Sequence, residues 1–346
     1  MASNACPSSV VSLDRLEAPY PPPDEVLASL QLGLEEINRY AEPGLVEELR
    51  SALARHNQLA AKNIVPVRDR VEALSAVLRY IAKTEKRLPR VLLPSPSFQE
   101  LRKVIEQYAG RVVEVGLVDR GDSWGLPISS LIEALGSSDV LLLDNPSDPT
   151  GSLLLISLRD AKKLLDEACS AGALVVIDES FYEFSGVTLS DLVDSHPCLV
   201  IMRSMEQAYA LAGLGVAYFM AGEEIAEELA STATPPSRAS LVAGIAALRN
   251  QHYYLRMVER VIAERERVRQ ILLGIRGVTA YRSWSNFLLV DTGIEKSAEK
   301  LCARGVAVAG ASLGSRYVRV TIGNQGDNNS FLAALTQLVR EETKLA

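Results

Sequence analysis

The chain has 346 residues, 48% of them hydrophobic and 23% charged, which describes an ordinary globular protein long enough to form two lobes. A net charge of −7 argues against a nucleic-acid binder, because phosphate contacts need a basic surface, and no apolar run is long enough to span a bilayer. Met1 to Ser12 lacks the basic region and apolar stretch of a signal peptide, so a cytoplasmic location is expected. The four cysteines, Cys6, Cys169, Cys198 and Cys302, have no metal or redox spacing. That suits a reducing compartment, and three of them read as small buried apolar side chains.

In chain order, residues 1–12 read as a frayed tail, followed by a proline-extended arm from Leu13 to Pro23. Apolar residues at helical spacing predict helices from Asp24 to about Arg39 and from Gly44 to Asn57. At Asn63 to Leu74 a strand gives way to a helix, with Asp69 placed as its N-cap. Arg68 and Arg70 flank that cap, either as a solvated, salt-bridged loop or as binders of a small anion. Strands then alternate with helices: Arg90 to Pro94, Val112 to Val118, Val140 to Asp144 and Ala173 to Asp178 are strands. Phe98 to Tyr108, Ser129 to Leu135 and Leu158 to Ala171 are the helices between them. Near-continuous apolar strands separated by amphipathic helices define an α/β protein with a mostly parallel sheet covered on both faces.

Cys198 to Tyr218 holds the organising loop. A strand over Cys198 to Met202 breaks at Arg203-Ser204, crosses the small residues Ala208 to Gly213 and returns through Val216 to Met220. A helix over Glu223 to Leu229 follows, and then one long helix or a broken pair from Ala239 to about Ile275. Strands at Val278 to Tyr281 and Asn286 to Val290, then a helix near Lys296 to Arg304, belong to a smaller unit.

Several of these junctions carry motifs. The organising loop, RSMEQAYALAGLG, resembles the lysine loop R-T-F-S-K-A-F-x-L-A-G-L-R-x-G of fold-type I pyridoxal-phosphate aminotransferases, closest to the histidinol-phosphate aminotransferase branch. DNPSDPTG at Asp144 to Gly151 resembles C-N-P-N-N-P-T-G, LVVIDESFYEF at Leu174 to Phe184 resembles V-V-D-E-A-Y-x-E-F, and YVRVTIG at Tyr317 to Gly323 matches L-R-I-T-V-G. The likeness covers nearly the whole chain in collinear order. It implies the aspartate aminotransferase-like fold, with residues 36–250 as the large domain and residues 1–35 and 251–346 as the arm and a small α+β domain.

The resemblance also implies where chemistry would sit. It puts Gln207 at the Schiff-base lysine, Glu206 at the serine before it and Gly215 at the arginine that holds the cofactor phosphate. Asp178 falls on the aspartate that pairs with the pyridine nitrogen, while Asp148 and Phe181 replace the asparagine and tyrosine at the ring hydroxyl. Asp178 reads equally as a structural carboxylate capped by amides or by Arg203. Tyr40 matches a tyrosine that reaches the neighbouring subunit's phosphate, or is an ordinary interface aromatic. Arg319 matches the arginine that binds the substrate carboxylate, with a surface arginine as the alternative. Tyr20, on the arm, and Arg68 and Arg70 complete the candidate substrate contacts.

No lysine lies between Lys163 and Lys296 to replace the missing amine. Pyridoxal phosphate is the family's cofactor, but five losses at one pocket argue against its binding here, and no catalytic residue or metal ligand is assigned. The expectation is a non-catalytic binding or regulatory member with a small-molecule ligand, forming a homodimer or pairing with an active paralogue. The alternatives are an enzyme using the pocket differently, and a conventional aminotransferase or a threonine-phosphate decarboxylase-like enzyme.

Overall fold

A computed structural model describes residues 10–345; the expectations for Cys6 and the first nine residues lie outside the described residues. The larger of two main sheets has seven strands, in the order Ile64–Val67, Ala217–Ala221, Leu199–Ser204, Leu174–Asp178, Val140–Asp144, Arg90–Ser95 and Arg111–Gly116. Only Ala217–Ala221 runs antiparallel to its neighbours. Strict alternation along the central strands builds a core on each face. Leu141 and Leu143 join Ile177 and Ile201 on one side, while Val140 and Leu142 join Val176 and Val200 on the other. This is the sandwich that apolar strands between amphipathic helices require.

The second sheet orders its strands as Val11–Leu13, Val306–Gly310, Tyr317–Thr321, Phe287–Asp291 and Thr279–Ala280. Val11 and Ser12 therefore belong to an edge strand rather than a frayed tail, pairing in parallel with Val306 and Ala307 while Leu13 is buried beneath them. The arm then turns at Leu16, which is buried with φ +63. That left-handed backbone favours glycine or asparagine, so the arm carries a strained leucine for the sake of its apolar burial. Leu16 is held on both sides, its N–H donating to Thr321 Oγ1 and its carbonyl accepting from Asn286 Nδ2.

Three further expectations need correction. The first helix ends at Leu34 rather than near Arg39, because the following turns leave Ile37 and Tyr40 exposed with no buried face to stabilise them. The strand expected to break at Arg203-Ser204 continues through both residues, which pair with Tyr218 and Ala217. Arg203 tolerates burial there because its charge is neutralised, as described below. Finally, Cys169 and Cys198 are not free thiols: they form a disulfide joining the helix Leu158–Ala171 to the start of the strand Leu199–Ser204. Of the two forms open for residues 239–275 the broken pair is found, with helices Arg238–Arg249 and Gln251–Leu273 meeting at Asn250.

Candidate functional site

The carboxyl ends of the parallel strands carry buried polar residues to the crevice position at which open α/β sheets build their sites. Asp178 closes Leu174–Asp178 and lies in register with Asp144, which closes Val140–Asp144. Asp178 Oδ1 accepts from the Ser180 amide and hydroxyl, which the next turn supplies. Its Oδ2 accepts from Arg70 Nη2 at 2.8 Å, with both side chains buried. Arg70 is the first residue of the helix Arg70–Glu85, and its guanidinium also lies 5.7 Å from the centre of the Phe181 ring. Burial opposes the Arg70 charge, but Asp178 first, with Glu206 and Asp148, more than offsets it and holds the guanidinium protonated.

Arg203 is therefore not the partner of Asp178. Its Nη2 and Nε reach Glu179 Oε2 at 2.8 and 3.0 Å, its Nη1 reaches Asn57, and its guanidinium stacks 3.5 Å above the Tyr182 ring. Side chains alternate along a strand, so adjacent Asp178 and Glu179 project to opposite sides and recruit different arginines.

A second buried pair lies beside the crevice. Arg319 is fully buried in Tyr317–Thr321, and its guanidinium reaches Asp148 Oδ1 at 2.7 Å, Glu100 Oε1 at 2.5 Å and the Asp14 carbonyl at 3.0 Å. The surface-arginine alternative is thereby excluded. Asp148 is held by the turn that follows Asp144, whose Oδ2 accepts from the amides of Phe98 and Asp148. Burial, with the neighbouring Asp148 and Asp178 charges, pushes Asp144 up to about 8 despite those two amides.

At the other end, Asp69 caps the helix Arg70–Glu85, its Oδ1 accepting from the Glu72 amide at 2.7 Å. The cap expected from the sequence is thus present, and it fills the helix terminus with the protein's own carboxylate. Gly215 faces this loop with φ +68, and a Cβ there would lie 3.0 Å from the Arg68 carbonyl oxygen and 3.2 Å from Asp69 Cβ. Gln207 is buried beside the crevice, and its Oε1 has no hydrogen-bond partner. Burial raises the Glu206 carboxyl, against the pull of Arg70, whose amide donates to it.

The candidate residues thus divide. Asp178, Arg70 and Phe181 meet at one end, with Glu206 against the Arg70 amide, and Asp148 and Arg319 meet at the other. Arg68 remains on the surface, paired with Asp69 at 2.7 Å, as the solvated-loop alternative required. Tyr20 is half-buried beside Tyr253, and Tyr40 is 98% exposed, so neither joins the crevice within one chain. Sequence reasoning missed Glu100 and the pairing of Arg70 with Asp178. A carboxylate replacing asparagine opposite a matched arginine was the available signal for the Asp148–Arg319 pair.

A sheet of this order and a crevice with an aspartate floor define the fold-type I class of pyridoxal-phosphate proteins. The chain matches the family described as Aminotransferase class I and II over residues 9–335, and it belongs to that family. It is 31% identical over 328 residues to a histidinol-phosphate aminotransferase of Sulfurisphaera tokodaii, covering 93% of this chain and 88% of the relative. The corresponding protein of Gloeobacter violaceus is 30% identical over 342 residues, covering 96% and 93%. Among solved structures, histidinol-phosphate aminotransferase from Sinorhizobium meliloti in complex with pyridoxal-5'-phosphate superposes with a TM-score of 0.82 at 22% identity, covering 96% of this chain and 91% of that one. The Clostridium acetobutylicum enzyme gives 0.85 at 20% identity, covering 95% and 99%. Both of these show the shared fold.

Proposed function

We propose that this chain is a non-catalytic member of the aminotransferase class I and II family, a binding or regulatory protein whose cofactor crevice is closed by its own side chains. One observation carries the reading: the groups that would receive cofactor and substrate are already engaged internally. The Asp178 carboxylate, which would face a pyridinium, is held by Arg70 at 2.8 Å. The helix terminus that would cradle a phosphate is capped by Asp69. Arg319, which would grip a substrate carboxylate, is held by Asp148 and Glu100.

Gln207 at the lysine position supplies neither nucleophile nor base, so no step of amino transfer is routed through this site. Pyridoxal phosphate does not fit the residues present, because its pyridinium and its phosphate would each have to displace an internal ion pair or cap. The test is titration of the purified chain with pyridoxal phosphate, followed by visible absorbance and thermal melting. No saturable band and no melting shift are expected. A saturable band with amino transfer from histidinol phosphate overturns the proposal.

That outcome would favour a second reading, a histidinol-phosphate aminotransferase-like enzyme. Its support is the 31% identity to the Sulfurisphaera tokodaii relative and the presence of Asp178 and Arg319. Under either reading the chain pairs with a second copy or with an active paralogue. Leu32 at 67%, Ile37 at 60% and Tyr40 at 98% exposure form an apolar stretch beside the arm that a partner would cover. Residence in the cytoplasm is part of the reading, in a cell whose interior tolerates the Cys169–Cys198 disulfide.

A further inference from the structure

A second cavity, of about 240 Å³, is lined by none of the crevice residues. Its walls are Tyr182 and Glu183 from the short helix after Asp178, Tyr209 from the organising loop, Tyr254 and Leu255 from the helix Gln251–Leu273, and His56 from the end of the helix Pro43–Asn57. The Tyr209 and Tyr254 rings lie 5.0 Å apart between centroids. Two polar atoms of the lining are shut off from solvent without any hydrogen-bond partner, Glu183 Oε2 and the hydroxyl of Tyr254, a residue only 3% exposed. Buried polar atoms are nearly always satisfied, so two unpartnered oxygens on residues of one cavity leave its wall rich in acceptors and short of donors.

The surrounding charges say what that partner carries. Arg203 is committed to Glu179, whose other oxygen accepts from the Leu189 amide. Gln251 Nε2 donates to His56 Nδ1 at 2.8 Å, which leaves Nε2–H to donate to the Tyr209 hydroxyl at 3.1 Å and keeps the imidazole neutral. No lysine or arginine lines the cavity, so Glu183 is the one charged side chain in its wall, and Arg203, behind Tyr182 and engaged with Glu179, only partly offsets the cost of its burial. We infer that this cavity is a binding site for a small aliphatic ammonium ion, held between the Glu183 carboxylate and the Tyr254 hydroxyl and against the faces of the tyrosine rings. An ammonium brings donors for both orphan oxygens, and its charge is attracted by the aromatic faces. At the ~30 Å³ that a water molecule occupies in the liquid, the cavity takes about eight heavy atoms, the size of a short alkylamine.

The test uses the full chain at pH 8, where Glu183, pushed up to about 7 by burial, is mostly ionised. Calorimetric titration compares n-butylammonium chloride with 1-butanol, which has the same number of heavy atoms and no charge. Saturable binding of one butylammonium per chain is expected, about tenfold or more tighter than butanol. Glu183→Gln removes that preference and leaves butanol binding unchanged. Tyr254→Phe weakens butylammonium by a smaller factor, and it serves alone if Glu183→Gln does not fold. Equal affinity for butanol and butylammonium, no loss in either folded variant, or no saturable heat with butylammonium overturns the inference. Glu183 and Tyr254 touch nothing in the Asp178 crevice, so none of these outcomes depends on whether that crevice is catalytic.

Discussion

The Arg70–Asp178 pair allows the closed crevice to be tested by stability alone. The side chains are 9% and 2% exposed and meet at 2.8 Å, so water screens the charges little. At an effective dielectric constant of 20, unit charges about 4 Å apart attract by ~4 kcal/mol. Arg70→Ala leaves Asp178 with only the two Ser180 contacts and an unpaired buried charge, a change that costs about 3–5 kcal/mol. Replacing both partners by apolar residues, Arg70→Met with Asp178→Leu, removes the stranded charge and returns stability to within about 1–2 kcal/mol of the wild type. Urea unfolding of the wild type and these two variants reads both quantities from the midpoints, provided the slopes agree. A loss below about 1 kcal/mol for Arg70→Ala would refute the reasoning, because a pair so weak would be solvent-screened and the crevice floor open to a ligand.

Four other outcomes follow from the same geometry. Asp144 has a folded pKa near 8 against an unfolded value near 3.9, so its stabilising contribution is complete below the lower value and is lost as pH rises toward 8. Urea midpoints should therefore fall between pH 5 and 8, by an amount on the order of a few kcal/mol, and Asp144→Asn should flatten the slope. Replacing Cys169 and Cys198 by serine opens a loop set by a separation of 29 residues, which predicts a loss of about 3–4 kcal/mol in thermal or urea unfolding. Gly215→Arg, which restores the family's phosphate arginine, forces a side chain onto φ +68 and against the Arg68 carbonyl, and should destabilise by about 1–2 kcal/mol without creating a phosphate site. Gln207→Lys alone should give no saturable visible absorbance with pyridoxal phosphate, since the new amine faces a crevice whose anchoring contacts are still taken.

Much of the fold was legible because local patterning and global architecture agree. Val140 to Asp144 and Leu158 to Ala171 form a strand and a helix with the bounds that periodicity gave them. The errors came from tertiary effects. Val11 and Ser12 look like tail residues until an edge strand exists for them to pair with. Arg203 and Ser204 look like a strand end because a charge inside a sheet is costly, and Glu179, the residue that neutralises it, lies 24 positions earlier. The crevice was legible as positions and not as pairings. Asp178, Asp148 and Arg319 fall on motifs, yet nothing local says that Arg70 swings inward while Arg68, two residues away, stays at the surface. Helical geometry decides that: Arg70 opens the helix on its buried face, and Arg68 precedes the cap. Spacing alone also cannot report that Cys169 and Cys198 come within bridging distance, since that follows from the packing of one helix end against one strand start.

Closing the crevice with covalently attached groups has a consequence that the loss of one residue would not have. Arg70 and Asp148 are tethered, so no concentration of free ligand is needed to keep them in place, and an incoming molecule competes with them at every contact. If breaking each buried pair costs about 3 kcal/mol, each lowers apparent affinity by more than a hundredfold. Two such pairs would turn a micromolar intrinsic dissociation constant into one above ~10 mM. On the proposed non-catalytic reading, Gln207 would remove the chemistry, whereas Arg70, Asp69, Asp148 and Glu100 engage the groups a ligand would need. Returning the lysine therefore addresses the smaller obstacle. The perturbation that should first open Asp178 to a pyridinium-sized cation is Arg70→Ala combined with Asp148→Asn. That pair frees Asp178 at one end of the crevice and, at the other, leaves Arg319 with Glu100 as its one remaining carboxylate.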